Sequence, residues 1–241
     1  MCSLKTQRQH KMNVLITGTN RGIGLEMVKV AVKNQWRVFA CCRNPHEANK
    51  LTEVARMSGG LVSVHAMDVS DVAQIQAVAY ELRNESIDML INNAGVYGPK
   101  HTRFEDVTEQ DWIETFRINS IAPLVVSQHF VNHVAMSQKK LIACVSSKMG
   151  SMADNGSGGS YIYRSTKAAL NAVVKSMSID LAEKNITCVI LHPGWVKTDM
   201  GGSYAEITTR ESVLQMFNTL EKCTINDAGS FYEIDGSIIP W

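Results

Sequence analysis

A doubly wound α/β fold, with one parallel sheet carrying helices on both faces, is predicted for these 241 residues from three observations. Short β-rich runs alternate with helical patterns along the chain. No repeat, low-complexity tract or linker divides it, and the Gly/Ser-rich stretch 155–160 is too short for an interdomain tether. A glycine string closes the first β-rich run and opens the first helical one, the arrangement of a βα phosphate turn.

The elements follow in order. Strands are expected at 14–17, 37–41, 62–66, 89–92, 141–146 and 187–192, with a weaker one at 230–234. Helical patterns occupy 23–34, 46–55, 72–83, 111–135 (kinked, or two helices), 161–181 and 211–220. Ser70-Asp71 precedes the third helix and Thr108-x-x-Asp111 the fourth, while Thr208-x-x-Glu211 reads as a capping box. Residues 12–241 are read as one dinucleotide-binding catalytic domain. Residues 1–11, polar and basic with no apolar core, are read as a flexible extension and not a secretory signal.

Composition narrows the function. Apolar residues make up 45% and charged residues 20%, as in an ordinary globular protein, so disorder and fibrous architectures are excluded. The formal charge of +1 provides no basic excess for nucleic acid or an anionic membrane. The longest apolar runs, 121–126 and 168–174, fall far short of the roughly 20 residues of a membrane span. The 6 cysteines contain no C-x-x-C pair and are too sparse for a disulfide scaffold, which points to reduced thiols and the cytoplasm. Cys41 and Cys42, adjacent on a strand, would face opposite sides of the sheet. His129-x-x-x-His133 has zinc-like spacing but lacks an acidic partner, so no metal site is expected.

Five motifs carry chemistry. In Thr17-Gly18-Thr19-Asn20-Arg21-Gly22-Ile23-Gly24, Gly18 allows a tight turn and Gly22 a close backbone approach to a pyrophosphate, while Gly24 lets the helix pack near the strand. The N–H groups of the helix start would meet the phosphates. Tyr163 and Lys167 lie one helical turn apart, so an ammonium can sit beside a phenol and favour its ionised form. The same spacing also arises by chance, and the pair gains meaning only in combination. Asn92-Asn93-Ala94-Gly95, Ser146-Ser147 and Pro193-Gly194 each follow a strand, where an open α/β sheet builds its site.

Together these motifs resemble the short-chain dehydrogenase/reductases, and most closely their carbonyl-reductase-like branch, which includes the sniffer and C-factor proteins. The TGxxxGxG, NNAG, YxxxK and PGxxxT patterns are matched residue for residue, and 231–241 also looks like that branch. The resemblance implies a Rossmann-type dinucleotide-binding enzyme that reduces a carbonyl with NADPH. It implies Tyr163 as proton donor, Ser147 as the hydrogen-bond partner of the substrate carbonyl, Lys167 as the holder of the nicotinamide ribose, and Asn119 as the anchor of a proton-relay water. Asp68 and Val69 would meet the adenine, and Asn92, Ala94 and Gly95 would line the nucleotide. Pro193, Val196 and Thr198 would contact the nicotinamide side. Ser147 and Tyr163 stand 16 positions apart, about three more than is common in the family, so a longer loop at 155–160 is expected beside the substrate pocket.

For the cofactor, the second strand ends Phe39-Ala40-Cys41-Cys42-Arg43 without the carboxylate that bonds a ribose 2′-hydroxyl. Arg43 suits the 2′-phosphate of NADP(H) instead, and Arg21 in the glycine loop can approach the same phosphate from the other side, while Asn20 is read as a further cofactor-binding residue of that loop. The helix at 161–181 is apolar beyond one stripe, and the family pairs this helix across a two-fold axis, so a homodimer or homotetramer is expected. Two other readings remain: an NADP(H)-binding signalling or sensor protein with little turnover, and an epimerase or dehydratase, for which residues after Thr198 leave little room.

Overall fold

The computed structural model describes residues 12–100 and 104–241, so the N-terminal extension expected at 1–11 lies outside the described residues. Among them, seven strands form one sheet, β1 (Asn13–Thr17), β2 (Arg37–Cys42), β3 (Val62–Ala66), β4 (Met89–Asn92), β5 (Leu141–Val145), β6 (Thr187–Leu191) and β7 (Phe231–Tyr232). Every neighbouring pair is parallel and the order is β3-β2-β1-β4-β5-β6-β7. The order reverses between β1 and β4, and the carboxyl ends of these strands open a crevice there.

Helices cover both faces because strand residues alternate between two cores. Val14, Ile16, Val38 and Ala40 pack with α1 (Gly22–Lys33), α2 (Asn49–Met57) and α7 (Thr209–Lys222). Leu15, Phe39, Leu90 and Ile142 pack with α3 (Val72–Glu81), α5 (Ala122–Ala135) and α6 (Tyr161–Asp180). Cys41 and Cys42 fall into opposite cores, as adjacent strand positions must. Among the described residues no helix is long and apolar enough to cross a membrane.

Sequence signals set most boundaries. Asp71 accepts from Ala73 N–H and Gln74 N–H at the start of α3, and Thr208 and Glu211 form the capping box of α7. The 111–135 pattern is two helices: α4 (Glu109–Phe116), capped by Thr108, and α5, joined by a π-helical turn, Arg117–Ile121. That turn inserts an extra residue per turn and buries Asn119. The last strand is shorter than expected, two residues in place of 230–234, since the chain already turns at Glu233, whose N–H donates to Ser237 O and whose carbonyl accepts from Gly236 N.

Candidate active site

The carboxyl ends of β1, β2, β4, β5 and β6 border a cleft of about 590 Å³. At its floor Gly18 adopts φ +71°, which only glycine takes without strain, and a side chain there would strike Ala94 Cα at 2.9 Å. Gly24 lies so close to β1 that a Cβ would approach the Gly18 carbonyl oxygen to 2.1 Å, so α1 can leave the sheet along this line only with glycine. A Cβ added at Gly22 (φ +56°) would meet nothing nearer than Thr198 Cγ2 at 3.5 Å, so the backbone there is open to the cleft. No side chain caps α1 and its first turn holds no acidic residue, so its leading N–H groups are available to a phosphate. Asn20, Arg21 and Ile23 complete the loop along the cleft.

One residue of the strand-end motif is placed differently from the expectation. Asn92 does not line the cleft: it is buried and donates to Ser127 Oγ (3.2 Å) and Cys144 Sγ (3.6 Å), because the last strand residue faces the core. Asn93 takes the expected place, donating from Nδ2 to Thr17 O (2.8 Å) and Gly18 O (3.2 Å), which ties the glycine loop to β4. Ala94 and Gly95 follow it along the wall. Asp68 and Val69 line the far end, with Asp68 Oδ1 accepting from Ser70 N (2.9 Å) and Ser70 Oγ (2.7 Å). Beyond β6, Pro193 and Thr198 reach the cleft, whereas Val196 is buried and bridges to Ile207.

Arg43 is exposed at the end of β2 and lines the cleft. Lys50, on α2, lines it too and was not anticipated, since nothing in a helical lysine's sequence context marks it. Arg21 is engaged elsewhere: its Nη1 lies 3.0 Å from Asp199 Oδ2, across the mouth from glycine loop to the post-β6 loop. Both partners are more than 70% exposed, so this pair is weak and easily exchanged.

The catalytic candidates converge on α6. Tyr163 and Lys167 are buried, with the Lys167 ammonium 5.8 Å from the Tyr163 ring centroid and donating to Val145 O at 2.9 Å. Asn119 brackets one residue of the NNAG loop: Oδ1 accepts from Val96 N (2.9 Å) and Nδ2 donates to Val96 O (2.8 Å) and Thr166 Oγ1 (3.1 Å). The two serines divide their work. Ser146 is committed to Asn171 Oδ1 at 2.7 Å, while Ser147 accepts from Met149 N (3.2 Å) and stands beside the Tyr163 phenol, where it favours the ionised form. The extended loop 151–160 is anchored by Arg164, which donates to Ser157 Oγ (2.8 Å), Gly158 O and Met149 O.

Electrostatics correct one expectation. Lys167 was expected to lower the Tyr163 pKa, but burial dominates and pushes the phenol up to about 12, with the Ser147 hydrogen bond opposing it and Tyr97 adding to it. Burial also lowers Lys167 to about 8. The fixed backbone amides, the open glycine, the Lys167 ammonium with N–H capacity beyond its one bond to Val145, and the two cations at the far end suit a phosphorylated dinucleotide.

Comparison with known proteins agrees with this geometry. The short chain dehydrogenase family model matches residues 12–208. The C-signal protein of Myxococcus xanthus is 40% identical over 167 residues, covering 69% of this chain and all of that protein. Among solved structures, the carbonyl reductase Sniffer of D. melanogaster superposes with a TM-score of 0.90 at 33% identity, covering 96% of this chain and 100% of that one. An NADPH-bound carbonyl reductase from chicken fatty liver gives 0.89 at 34% identity, covering 95% and 99%. With a family match spanning most of its length and a sheet, glycine loop and buried Tyr-Lys pair to go with it, the chain belongs to the short-chain dehydrogenase family.

Proposed function

We propose that the protein is an NADP-dependent oxidoreductase that reduces a carbonyl group of an aldehyde, ketone or quinone. The observation carrying this reading is that Tyr163 and Lys167 line the same cleft as Arg43 and Lys50, with Ser147 beside the phenol and Asn119 buried against Thr166 of the same helix. NADPH in the chicken carbonyl reductase supports the cofactor assignment.

The glycine loop and the α1 N-terminus would hold the pyrophosphate, Arg43 and Lys50 the 2′-phosphate, and Lys167 the nicotinamide ribose. NADPH, when bound, supplies the hydride that goes to the carbonyl carbon. Ser147 donates to the carbonyl oxygen and orients it, and Tyr163 gives that oxygen its proton. A phenol held near 12 keeps its proton at neutral pH, which suits a donor in the reducing direction. Asn119, through its bonds to Val96, fixes the turn beside this group.

Screening NADPH oxidation against aldehydes, ketones and quinones, followed by Tyr163→Phe on the best substrate, tests the reading. Tyr163→Phe abolishes reduction and leaves NADPH affinity nearly intact, whereas near-normal turnover by that variant would remove the proton-donor role. The similarity to C-signal favours a second reading, an NADP(H)-binding signalling protein with little turnover. The complete four-residue set speaks for catalysis, since binding alone does not require it. A cytoplasmic homodimer or homotetramer completes the proposal, with exposed Trp112, Ile113, Ile121 and Ile179 on the α4–α6 side as candidate contacts.

A further inference from the structure

Tyr97 belongs to none of the sequence motifs, yet its ring stacks on Tyr163 with centroids 4.5 Å apart and planes inclined by 22°. Its backbone is fixed from both sides. The preceding residue, Val96, is clamped by Asn119 through both its N–H and its carbonyl. The following residue, Gly98, has φ +79° and presses so closely on α4 that a Cβ would lie 2.8 Å from Thr115 Oγ1. Between these anchors the Tyr97 ring is directed onto the phenol.

The Tyr97 hydroxyl lies 2.8 Å from Ser160 Oγ. Ser160 adopts the left-handed conformation, φ +47° and ψ +41°, immediately before α6, and its side chain does not cap that helix. A residue with a Cβ stays in this region only where its surroundings hold it there. The Tyr97 hydroxyl supplies one hold and Arg164, which grips the same loop at Ser157 and Gly158, supplies another.

We propose that Tyr97 is a positioning residue for carbonyl reduction, setting the Tyr163 ring by stacking and the 155–160 loop and α6 entry through Ser160. The inference rests on the reductase reading above. It separates two functions of one side chain: the ring governs how Tyr163 is presented, and the hydroxyl governs how firmly the loop beside the substrate is held.

The test uses the full chain, 4-nitrobenzaldehyde as the probe carbonyl, and four variants: Tyr97→Phe, Tyr97→Leu, Ser160→Gly and Tyr163→Phe. Tyr97→Phe keeps the stack and raises KM about three- to tenfold with kcat nearly unchanged. Ser160→Gly removes the same bond while relieving the left-handed strain, so it gives the same KM rise, and the double variant is no worse than either single one. Tyr97→Leu loses the stack and lowers kcat by about tenfold or more, a loss in line with misplacement of a reacting group. NADPH affinity stays at the wild-type value throughout.

A wild-type protein that reduces neither the probe nor any carbonyl of the panel above, or a Tyr163→Phe variant that reduces the best of them normally, overturns the reductase reading and this inference with it. An inactive Tyr163→Phe beside Tyr97 variants with unchanged KM and kcat overturns the Tyr97 inference alone. Should Tyr97→Leu fail to fold, Tyr97→Phe and Ser160→Gly decide through their shared KM effect.

Discussion

Replacing Lys167 by methionine should stabilise the protein in the absence of NADPH while destroying its activity. Lys167 is only 5% exposed, and burial lowers its pKa from 10.5 to about 8. A shift of that size corresponds to about 3 kcal/mol of unfavourable ammonium burial at neutral pH. Against this, the variant loses the hydrogen bond to Val145 O, worth about 1.5 kcal/mol at the lower end for a charged donor, since Val145 borders the cleft and water can replace it. The net gain is about 1–2 kcal/mol at pH 7, or a Tm rise of about 2–8 °C for a chain of this size. The sign follows from the depressed folded-state pKa. The cost of holding the charge is fully present below pH 8 and fades as pH rises towards 10.5, where both states lose the proton. Tyr163, held near 12, titrates above this window. Urea unfolding of both proteins at pH 7 and pH 10 reads the difference directly. A variant less stable than wild type at pH 7, or a difference that does not change with pH, would refute the reasoning.

Three further outcomes follow from named contacts. Cys42→Asp with Arg43→Ile places a carboxylate at the end of β2 and removes a cation from the cleft, so NADPH affinity should fall by about tenfold or more while NADH use improves. Equal NADPH and NADH binding constants in the unmodified protein, measured by calorimetry at moderate salt, would end that assignment. Ser147→Ala should lower kcat/KM by about 10²- to 10³-fold, as loss of a donor to a developing oxyanion does, with little change in stability. Ser146→Ala should do the opposite: activity stays within a few-fold, but the buried Asn171 oxygen loses its partner and the fold weakens by about 1–3 kcal/mol. Identical activity losses in the two serine variants would show that the division of roles is wrong.

What the sequence made legible was set by short-range geometry. The glycine loop could be read because its constraints are local: Gly18 needs a positive φ, and Gly24 must let α1 pass the Gly18 carbonyl. The sheet and its faces followed from strand–helix alternation, and the α7 capping box from four adjacent residues. The errors occur where side-chain direction or tertiary packing decides. Asn92 and Asn93 are indistinguishable in an Asn-Asn pair, and only the strand parity that turns Asn92 towards Ser127 separates them. Val196 sits in a family motif, but its bridge to Ile207 turns it inward. Lys50 carries no local signal, because its place depends on where α2 lies against β3, and the place of Tyr97, an aromatic near the site that sequence leaves between substrate wall and core, depends on a clamp between Val96 and Asn119, 23 residues apart. The Tyr163 pKa is the sharpest case. Sequence proximity brings an ammonium to the phenol, which argues for ionisation. The fold buries both groups and aims the ammonium at Val145 O, so desolvation, a property of the whole core, outweighs the neighbouring charge.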